Sequence, residues 1–184
     1  MAVVLGPTLL TDRLILRPPT YDDFDDWAAF AADEDVNRFL GGVQSRSAAW
    51  RGLATVTGAW ALMGFSMFSV LERSTGQWIG RLGPWQPEGW PGTEIGWGLA
   101  REAWGQGYAL EGTVAAMDWA FAELGWNEVI HCIDPKNTPS QSLARRLGST
   151  LKGPVHLPPP MNTWPIEAWG QTKQEWAINR HKST

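Results

Sequence analysis

Hydrophobic residues in the first half of the chain follow a two-residue period in some segments and a helical period in others. Residues 13–17 are a short apolar run, Leu14 to Leu16, between two arginines, and they stop at Pro18-Pro19, which is typical of a strand. Similar patterns predict helices over 20–32 and 45–62, a short segment over 36–40, and strands over 65–71, 77–85 and 93–99. The turn at 74–76 predicts that the first two of those three strands form an antiparallel hairpin.

The second half alternates helices with strands. A long helix through residues 110–124 is followed by a predicted strand over 128–133, a helix over 138–147 and strands over 150–155 and 169–178. Because a long helical crossover joins 93–99 to 128–133, those two strands are expected to pair in parallel. The order predicts a single mixed α/β domain over residues 1–184, with a twisted sheet of six or seven strands and helices on both faces.

Composition narrows the classes of protein that fit this pattern. The 184 residues are 43% apolar, enough for a buried core, and the net charge of −4 argues against nucleic-acid binding by broad phosphate neutralisation. One cysteine, Cys132, and three isolated histidines, His131, His156 and His181, argue against a disulfide framework and against a metal site. No apolar run approaches the ~20 residues that span a bilayer, so the expectation is a cytoplasmic protein that binds neither membrane nor metal.

Tryptophan is unusually abundant, at 13 residues. One interpretation is that these side chains fill the core and its rim, where each indole N–H needs a hydrogen-bond partner. The other concerns the Gly/Pro-rich loop that holds Trp85 and Trp90, which could present a stacking surface to a ligand.

The segment from Thr93 to Leu124 carries the strongest chemical signal. Gly105-Gln106-Gly107 stands immediately before a long helix, where unpaired backbone N–H groups and the helix dipole favour an anion. A tight loop without a ligand is the alternative. A dinucleotide fingerprint would need a small residue in place of Leu110, and the chain has no Gly-Lys-Ser/Thr phosphate loop.

Strand 93–99 places a carboxyl group beside two glycines. Glu94, Gly96 and Gly98 share one face, which leaves free volume next to the acid. The alternative is an exposed glutamate on an edge strand. A turn containing Asn137 and Ser140 follows strand 128–133, so both parallel strands end in turns at the edge where open α/β sheets bind ligands.

At these positions the chain resembles the GCN5-related N-acetyltransferases, in the subgroup related to the Rim-type ribosomal-protein N-acetyltransferases. The resemblance runs from about Leu10 to Leu151 and is carried by LTDRLILRP, EIGWGL, WGQGYALE and NTPSQSLARRLG. It implies a sheet whose two central parallel strands splay apart, with acetyl-CoA as the cosubstrate.

The resemblance also implies roles for individual residues. The backbone that would cradle the CoA pyrophosphate comprises Trp104, Gly105, Gln106, Gly107, Tyr108 and Ala109. The main chain near Trp97 and Leu99 would pair with the pantetheine arm, Asn137 would bind its amide region, and Ser140 would lie near the sulfur. Ala144 stands where many relatives carry a tyrosine general acid, which leaves Ser140 or a water to protonate the departing thiolate.

These roles fit the chemistry of amide formation. An alkyl ammonium with a pKa near ~10 must lose a proton before it attacks a thioester, and Glu94 could accept that proton if burial raises its pKa. Backbone N–H groups near Trp97 could stabilise the oxyanion. We expect direct transfer, with Cys132 as a core residue rather than a nucleophile.

Several alternatives stay open at this point. The acceptor could be a protein N-terminus, an amino acid or polyamine, or an aminoglycoside-like drug, and Trp85, Trp90 and Glu94 would suit an apolar or flat cationic amine. A non-catalytic acyl-CoA-binding module and a tryptophan-based carbohydrate-binding module are the competing functions. Arg145 and Arg146 could contact the CoA 3′-phosphate or form a solvated helix face, and the tryptophans could anchor a homodimer.

Overall fold

The computed structural model describes residues 5–180. The predicted mixed α/β architecture is confirmed. The sheet has eight strands, in the order β1-β2-β3-β4-β5-β6-β8-β7. The strands are β1 (Leu9–Leu10), β2 (Leu14–Arg17), β3 (Phe68–Glu72), β4 (Trp78–Trp85), β5 (Glu94–Leu99), β6 (Glu128–Ile133), β7 (Thr150–Val155) and β8 (Ile166–Thr172). The helices are α1 (Phe24–Ala32), α2 (Glu34–Asn37), α3 (Arg46–Met63), α4 (Tyr108–Glu123), α5 (Thr138–Arg146) and α6 (Lys173–Asn179).

The pairing of β5 with β6 is parallel, as predicted, whereas the other strand pairs of the described chain are antiparallel. The parallel pair is also short, because the two strands are in register only at Glu94 and Ile130. By contrast, β6 pairs with β8 along its whole length. The sheet therefore opens at its centre, and the expected splay of the two parallel strands is present.

Helices cover both faces of the sheet. On one face α4 lies against β2 and β4, and its Ala116, Met117 and Ala120 are fully buried. On the other face α1 and α3 enclose a second apolar cluster that includes Met67 and Trp78. The strands need both layers because their side chains alternate between the two faces.

Two predicted elements differ from the structure. The strand predicted over 169–178 begins at Ile166 and ends at Thr172, where a capping box between Thr172 and Glu175 starts helix α6. In place of the short segment predicted over 36–40, the structure has helix α2, which begins at Glu34 and ends at Asn37. The side chain of Asp33 caps its start. The eighth strand is the two-residue β1, too short to give a sequence pattern.

Many tryptophans fill the core, as one interpretation predicted. Trp60 is 1% exposed, donates its indole N–H to the Met67 carbonyl, and packs against Phe68 and Trp119. Trp78 donates to the Ser69 hydroxyl inside the second cluster. Between residues 5 and 180, the structure contains no helix long and apolar enough to cross a bilayer.

Gly112 in α4 tests how closely this helix approaches the sheet, and Gly58 in α3 serves as the control. A Cβ at Gly112 would lie 2.7 Å from a methyl carbon of Leu82, a fully buried side chain, whereas a Cβ at Gly58 in α3 would meet nothing within 4 Å. We expect Gly112→Ala to lower the free energy of unfolding by about 1–3 kcal/mol through overpacking. Gly58→Ala should raise it by about 0.5–1 kcal/mol, because alanine is the better helix former. Urea titration of both variants checks this, and equal effects would contradict the close packing of α4.

Candidate active site

Two cavities meet where β5 and β6 part. The first, here called the aromatic cavity, has a volume of about 340 Å³, and its walls include Trp27, Phe30, Trp85, Trp90, Trp164 and Glu94. The second, here called the loop cavity, has a volume of about 660 Å³, and its walls include Leu99, Trp104, Gly105, Gly107, Tyr108 and Arg146. Trp97, Asn137 and Ser140 line both cavities. A ligand lying across that boundary would reach from one cavity into the other.

Side chains occupy hydrogen-bonding positions in the gap between the two strands. The backbone N–H of Cys132 in β6 donates to Glu94 Oε1 at 3.0 Å. The imidazole of His131 donates from Nδ1 to the Ile95 carbonyl of β5 at 2.7 Å, and its Nε2 accepts from the Ser149 hydroxyl at 3.0 Å. Burial lowers the pKa of His131 to about 4, so the imidazole is neutral, as this donor and acceptor pair requires. Sequence analysis did not assign His131 a role.

Glu94 is buried, with 6% of its surface exposed, so the interpretation as an exposed edge residue is wrong. Its Oε2 accepts from the indole N–H of Trp90 at 2.5 Å. Burial raises its pKa from 4.5 to about 7, and this effect outweighs the opposing hydrogen bonds from Cys132 and Trp90 and the charge of Arg81. The carboxyl group is therefore close to half-ionised at neutral pH.

The neighbouring thiol is a poor nucleophile. Burial raises the pKa of Cys132, and the adjacent Glu94 raises it further. The reactive thiolate is strongly disfavoured in such surroundings. This agrees with the expectation that Cys132 is not a nucleophile. The expected core position does not hold, because Cys132 is only partly buried and lines the aromatic cavity.

Glycines with left-handed backbones shape the turn before α4. Gly105 has φ +73° and Gly107, the N-cap of α4, has φ +82°. A Cβ at Gly105 would meet no atom within 4 Å, so the backbone lies open to the loop cavity. The first N–H groups of a helix have no carbonyl partner within it, which makes this end of α4 a suitable anion site.

The residues predicted to hold the pyrophosphate differ in their exposure and in whether they line the loop cavity. Trp104 is 48% exposed and donates its indole N–H to the Leu99 carbonyl at 2.9 Å. That bond uses one acceptor position of Leu99, whose main chain is expected to meet the pantetheine. Tyr108 and Ala109 line the loop cavity, whereas Gln106 is absent from its walls.

Arg13, which sequence analysis did not single out, braces this turn. Its Nη1 donates to the Gln106 carbonyl at 2.9 Å, and its Nη2 forms an ion pair with Glu111 at 2.6 Å. Its guanidinium also lies 4.5 Å from the centre of the Tyr108 ring. Glu111 is 98 residues away along the chain, so no local pattern indicates this contact.

Asn137 and Ser140 lie at the start of α5, where the cavities join. Asn137 Oδ1 caps the helix by accepting from the Ser140 N–H at 3.2 Å. The indole N–H of Trp97 donates to Ser140 Oγ at 3.2 Å. Because Oγ is the acceptor in that bond, the hydroxyl hydrogen of Ser140 can be donated elsewhere.

Other candidates separate into residues that line the cavities and residues that do not. Trp85 and Trp90 are in edge-to-face contact and both line the aromatic cavity. Arg146 lines the loop cavity, whereas Arg145 stacks on the Trp169 ring. Ala144 is fully buried beside Ile133 and Trp169. Residues 5–180 contain no group of three or more His, Cys, Asp or Glu side chains placed to hold a metal ion.

Comparison with known proteins identifies the family. The family model described as an acetyltransferase (GNAT) domain matches residues 13–150. A Bacillus licheniformis protein named uncharacterized N-acetyltransferase p20 is 29% identical over 149 residues, which are 79% of this chain and 84% of that protein. The chain therefore belongs to the GNAT acetyltransferase domain family.

Solved structures share the fold. The crystal structure of an acetyltransferase from Agrobacterium tumefaciens str. C58 is 30% identical, with a TM-score of 0.79 over 90% of this chain and 94% of that one. Mycobacterium smegmatis RimJ, solved in complex with CoA-disulfide, has a TM-score of 0.71 at 16% identity, over 88% of this chain and 83% of its own. The likeness to RimJ shows the fold alone.

The burial of Glu94 should be visible in the pH dependence of stability. Because its pKa is raised from 4.5 to about 7, the stabilisation that protonated Glu94 provides is lost as pH rises through this window. Buried His131, whose pKa is lowered to about 4, acts in the opposite direction over much of the same range, so the effect of Glu94 is the difference between wild type and Glu94→Gln. The difference between the two pKa values of Glu94 corresponds to a loss in the free energy of unfolding of the wild type, on the order of 3 kcal/mol, relative to Glu94→Gln. Urea unfolding at several pH values measures it, with exposed Glu88→Gln as the control that should follow the wild type. Parallel curves for wild type and Glu94→Gln between pH 4.5 and 7 would contradict the assignment.

Proposed function

We propose that this protein transfers an acetyl group from acetyl-CoA to a primary amine by direct attack, without an acyl-enzyme. The observation that carries the proposal is the position of Glu94, a buried carboxyl group with a pKa near 7 that lines the aromatic cavity. A base with that pKa can both accept a proton and release it at neutral pH.

Features of the loop cavity support binding of acetyl-CoA there. The backbone from Trp104 to Ala109, at the start of α4, would hold the pyrophosphate, and Arg13 keeps that turn in place. The main chain near Trp97 and Leu99 would meet the pantetheine arm in the gap beside β5, with Asn137 close by. The thioester would then lie at the boundary that Ser140 shares with both cavities.

The transfer can be written with its protons balanced. Glu94, directly or through a water, takes a proton from the acceptor ammonium, and the nitrogen lone pair attacks the thioester carbonyl. Backbone N–H groups near Trp97 stabilise the developing oxyanion. As the new C–N bond replaces the C–S bond, the nitrogen gives up its second proton, and Ser140 or a water relays this proton to the thiolate of CoA. The products are the amide and the CoA thiol, and the first proton leaves Glu94 for solvent. A thiol with a pKa near ~8.5 is a fair leaving group and needs only a weak acid, which suits a site with Ala144 in place of an acidic side chain.

A first experiment tests whether the turn before α4 binds the donor. We expect the wild type to bind acetyl-CoA and Gly107→Glu to lose that binding, because a carboxylate would stand where the pyrophosphate is held. Gly76→Glu is the matched control, since Gly76 has a similar φ of +73° in the exposed hairpin turn before β4. Isothermal titration calorimetry of all three proteins gives the affinities. Equal losses in both variants would mean that backbone strain, and not the site, causes the effect.

A second experiment tests the base. Glu94→Gln should reduce kcat/KM by about 100-fold or more, the range typical of general acid–base groups. It should also remove a limb of the wild-type pH profile with an apparent pKa near 7. Release of free thiol from acetyl-CoA measures turnover, and exposed Glu88→Gln is expected to behave as wild type. Acetyl-CoA binding without turnover for any amine would instead indicate a non-catalytic acyl-CoA-binding module.

A further inference from the structure

Arg81 lies on the same side of the sheet as Glu94. In the register of β4 with β5, Arg81 is opposite Gly98 and Trp85 is opposite Glu94. Directly paired residues point to one face. On that face Gly98, opposite Arg81, and Gly96, between Gly98 and Glu94, have no side chains. Arg81 and Glu94 therefore line one cavity, from positions roughly 13 Å apart along the strands.

The guanidinium of Arg81 has no carboxylate partner among residues 5–180. Its described contacts are the sulfur of Met67 and the rings of Trp27 and Phe30, whose centres lie 5.7 and 5.8 Å away. Glu94 influences it only at longer range, outside the 4 Å of an ion pair. The contrast is Arg17 on β2, which is also partly buried but pairs with both oxygens of Asp23.

A cation in such surroundings favours an anionic ligand. Burial lowers the pKa of Arg81, yet an arginine side chain stays charged at any physiological pH. Even a partly buried charge is costly without an opposite charge, and the aromatic walls provide only the faces of their rings. A carboxylate suits the planar fork of a guanidinium, which can donate to both of its oxygens.

We propose that Arg81 binds a carboxylate of the acceptor, so that the acceptor is an amine that also carries a carboxylate, such as an amino acid or a short peptide. The cavity then has a base for the amino group and a cation for the carboxylate. Its volume of about 340 Å³ lies at the small end of ligand pockets, and its tryptophan walls suit an apolar side chain. A polyamine or aminoglycoside would bring further positive charge towards Arg81. This inference rests on the proposed function.

Acceptors that differ only in whether the carboxylate is free or amidated test this proposal. The probes are the dipeptide Ala-Phe, the tripeptide Ala-Ala-Phe, phenylalanine, the C-terminal amide of each, and spermidine. With wild-type protein, we expect the best free carboxylate to have a kcat/KM about 10- to 100-fold above that of its amide, the range of one charge-assisted hydrogen-bonded contact. Calorimetric titration of the same probes into the CoA-bound protein gives a readout that does not depend on turnover.

Substitutions at Arg81 test whether this residue causes the preference for a carboxylate. Arg81→Met keeps an apolar chain against Met67 and Trp27 but removes the charge, so KM for the free peptide should rise to that of the amide while kcat changes little. Arg81→Lys keeps the charge without the fork and should retain part of the preference. Arg51→Gln, an exposed arginine of α3 outside both cavities, is expected to behave as wild type. Thermal unfolding shows whether each variant folds. If the Arg81 variants do not fold, the preference of the wild type for free carboxylates over amides decides whether the proposal holds.

The outcomes separate this inference from the proposed function. Absence of acetyl-CoA binding, or of thiol release with every amine, would overturn the proposed function and with it the inference. Turnover in which amides or spermidine equal the free carboxylates would overturn the acceptor class alone. So would a carboxylate preference that Arg81→Met leaves intact, or CoA-bound protein that binds none of the carboxylate probes.

Discussion

The site depends on the separation of β5 and β6 after a single register pair. Parting two strands at the centre of a sheet exposes backbone N–H and C=O groups, which are costly when buried without partners. Here Glu94 accepts from the Cys132 N–H, and His131 donates to the Ile95 carbonyl. Side chains thus satisfy groups that a regular ladder would have paired, and the gap between the strands can persist.

The same arrangement sets the acidity of Glu94. A carboxyl group that reaches between strands is removed from water, so its pKa rises, and two hydrogen bonds keep that rise from going further. The cost appears as lost stability at neutral and higher pH. If Glu94 is the base, as proposed, this cost is an example of the general conflict between stability and activity at functional sites.

The sequence predicted the parts of this fold that local patterns determine. Strands 128–133 and 150–155 have the predicted bounds, since polar turns and glycines punctuate them. The strand over 169–178 was wrong in its second half because Trp176 and Ile178 are apolar in a helix as well as in a strand. Thr172 followed by Glu175 was the available signal for the helix start.

Much of the candidate site could not be predicted in this way. The alternation of side chains predicts that Glu94 shares a sheet face with two glycines. It does not predict how deeply that face is buried, so the exposure of Glu94 could not be inferred. The brace from Arg13 to Glu111 and the missing partner of Arg81 are contacts between distant segments. His131 did carry a signal, because it alternates with Val129 and Ile133 on the inward positions of its strand, yet that pattern does not indicate which carbonyl it would bind.

The two charged groups of the aromatic cavity are also coupled. The positive charge of Arg81 lowers the pKa of Glu94, against the larger effect of burial. In the proposed complex an acceptor carboxylate neutralises Arg81, which removes that lowering and makes Glu94 a stronger base. The acceptor ammonium acts in the opposite direction until it gives up its proton. Once the proton has moved to Glu94, the ammonium no longer stabilises a carboxylate there, and low polarity favours the neutral acid. A cavity with one partly buried cation and one buried acid would therefore favour proton removal most when its ligand carries both an amine and a carboxylate.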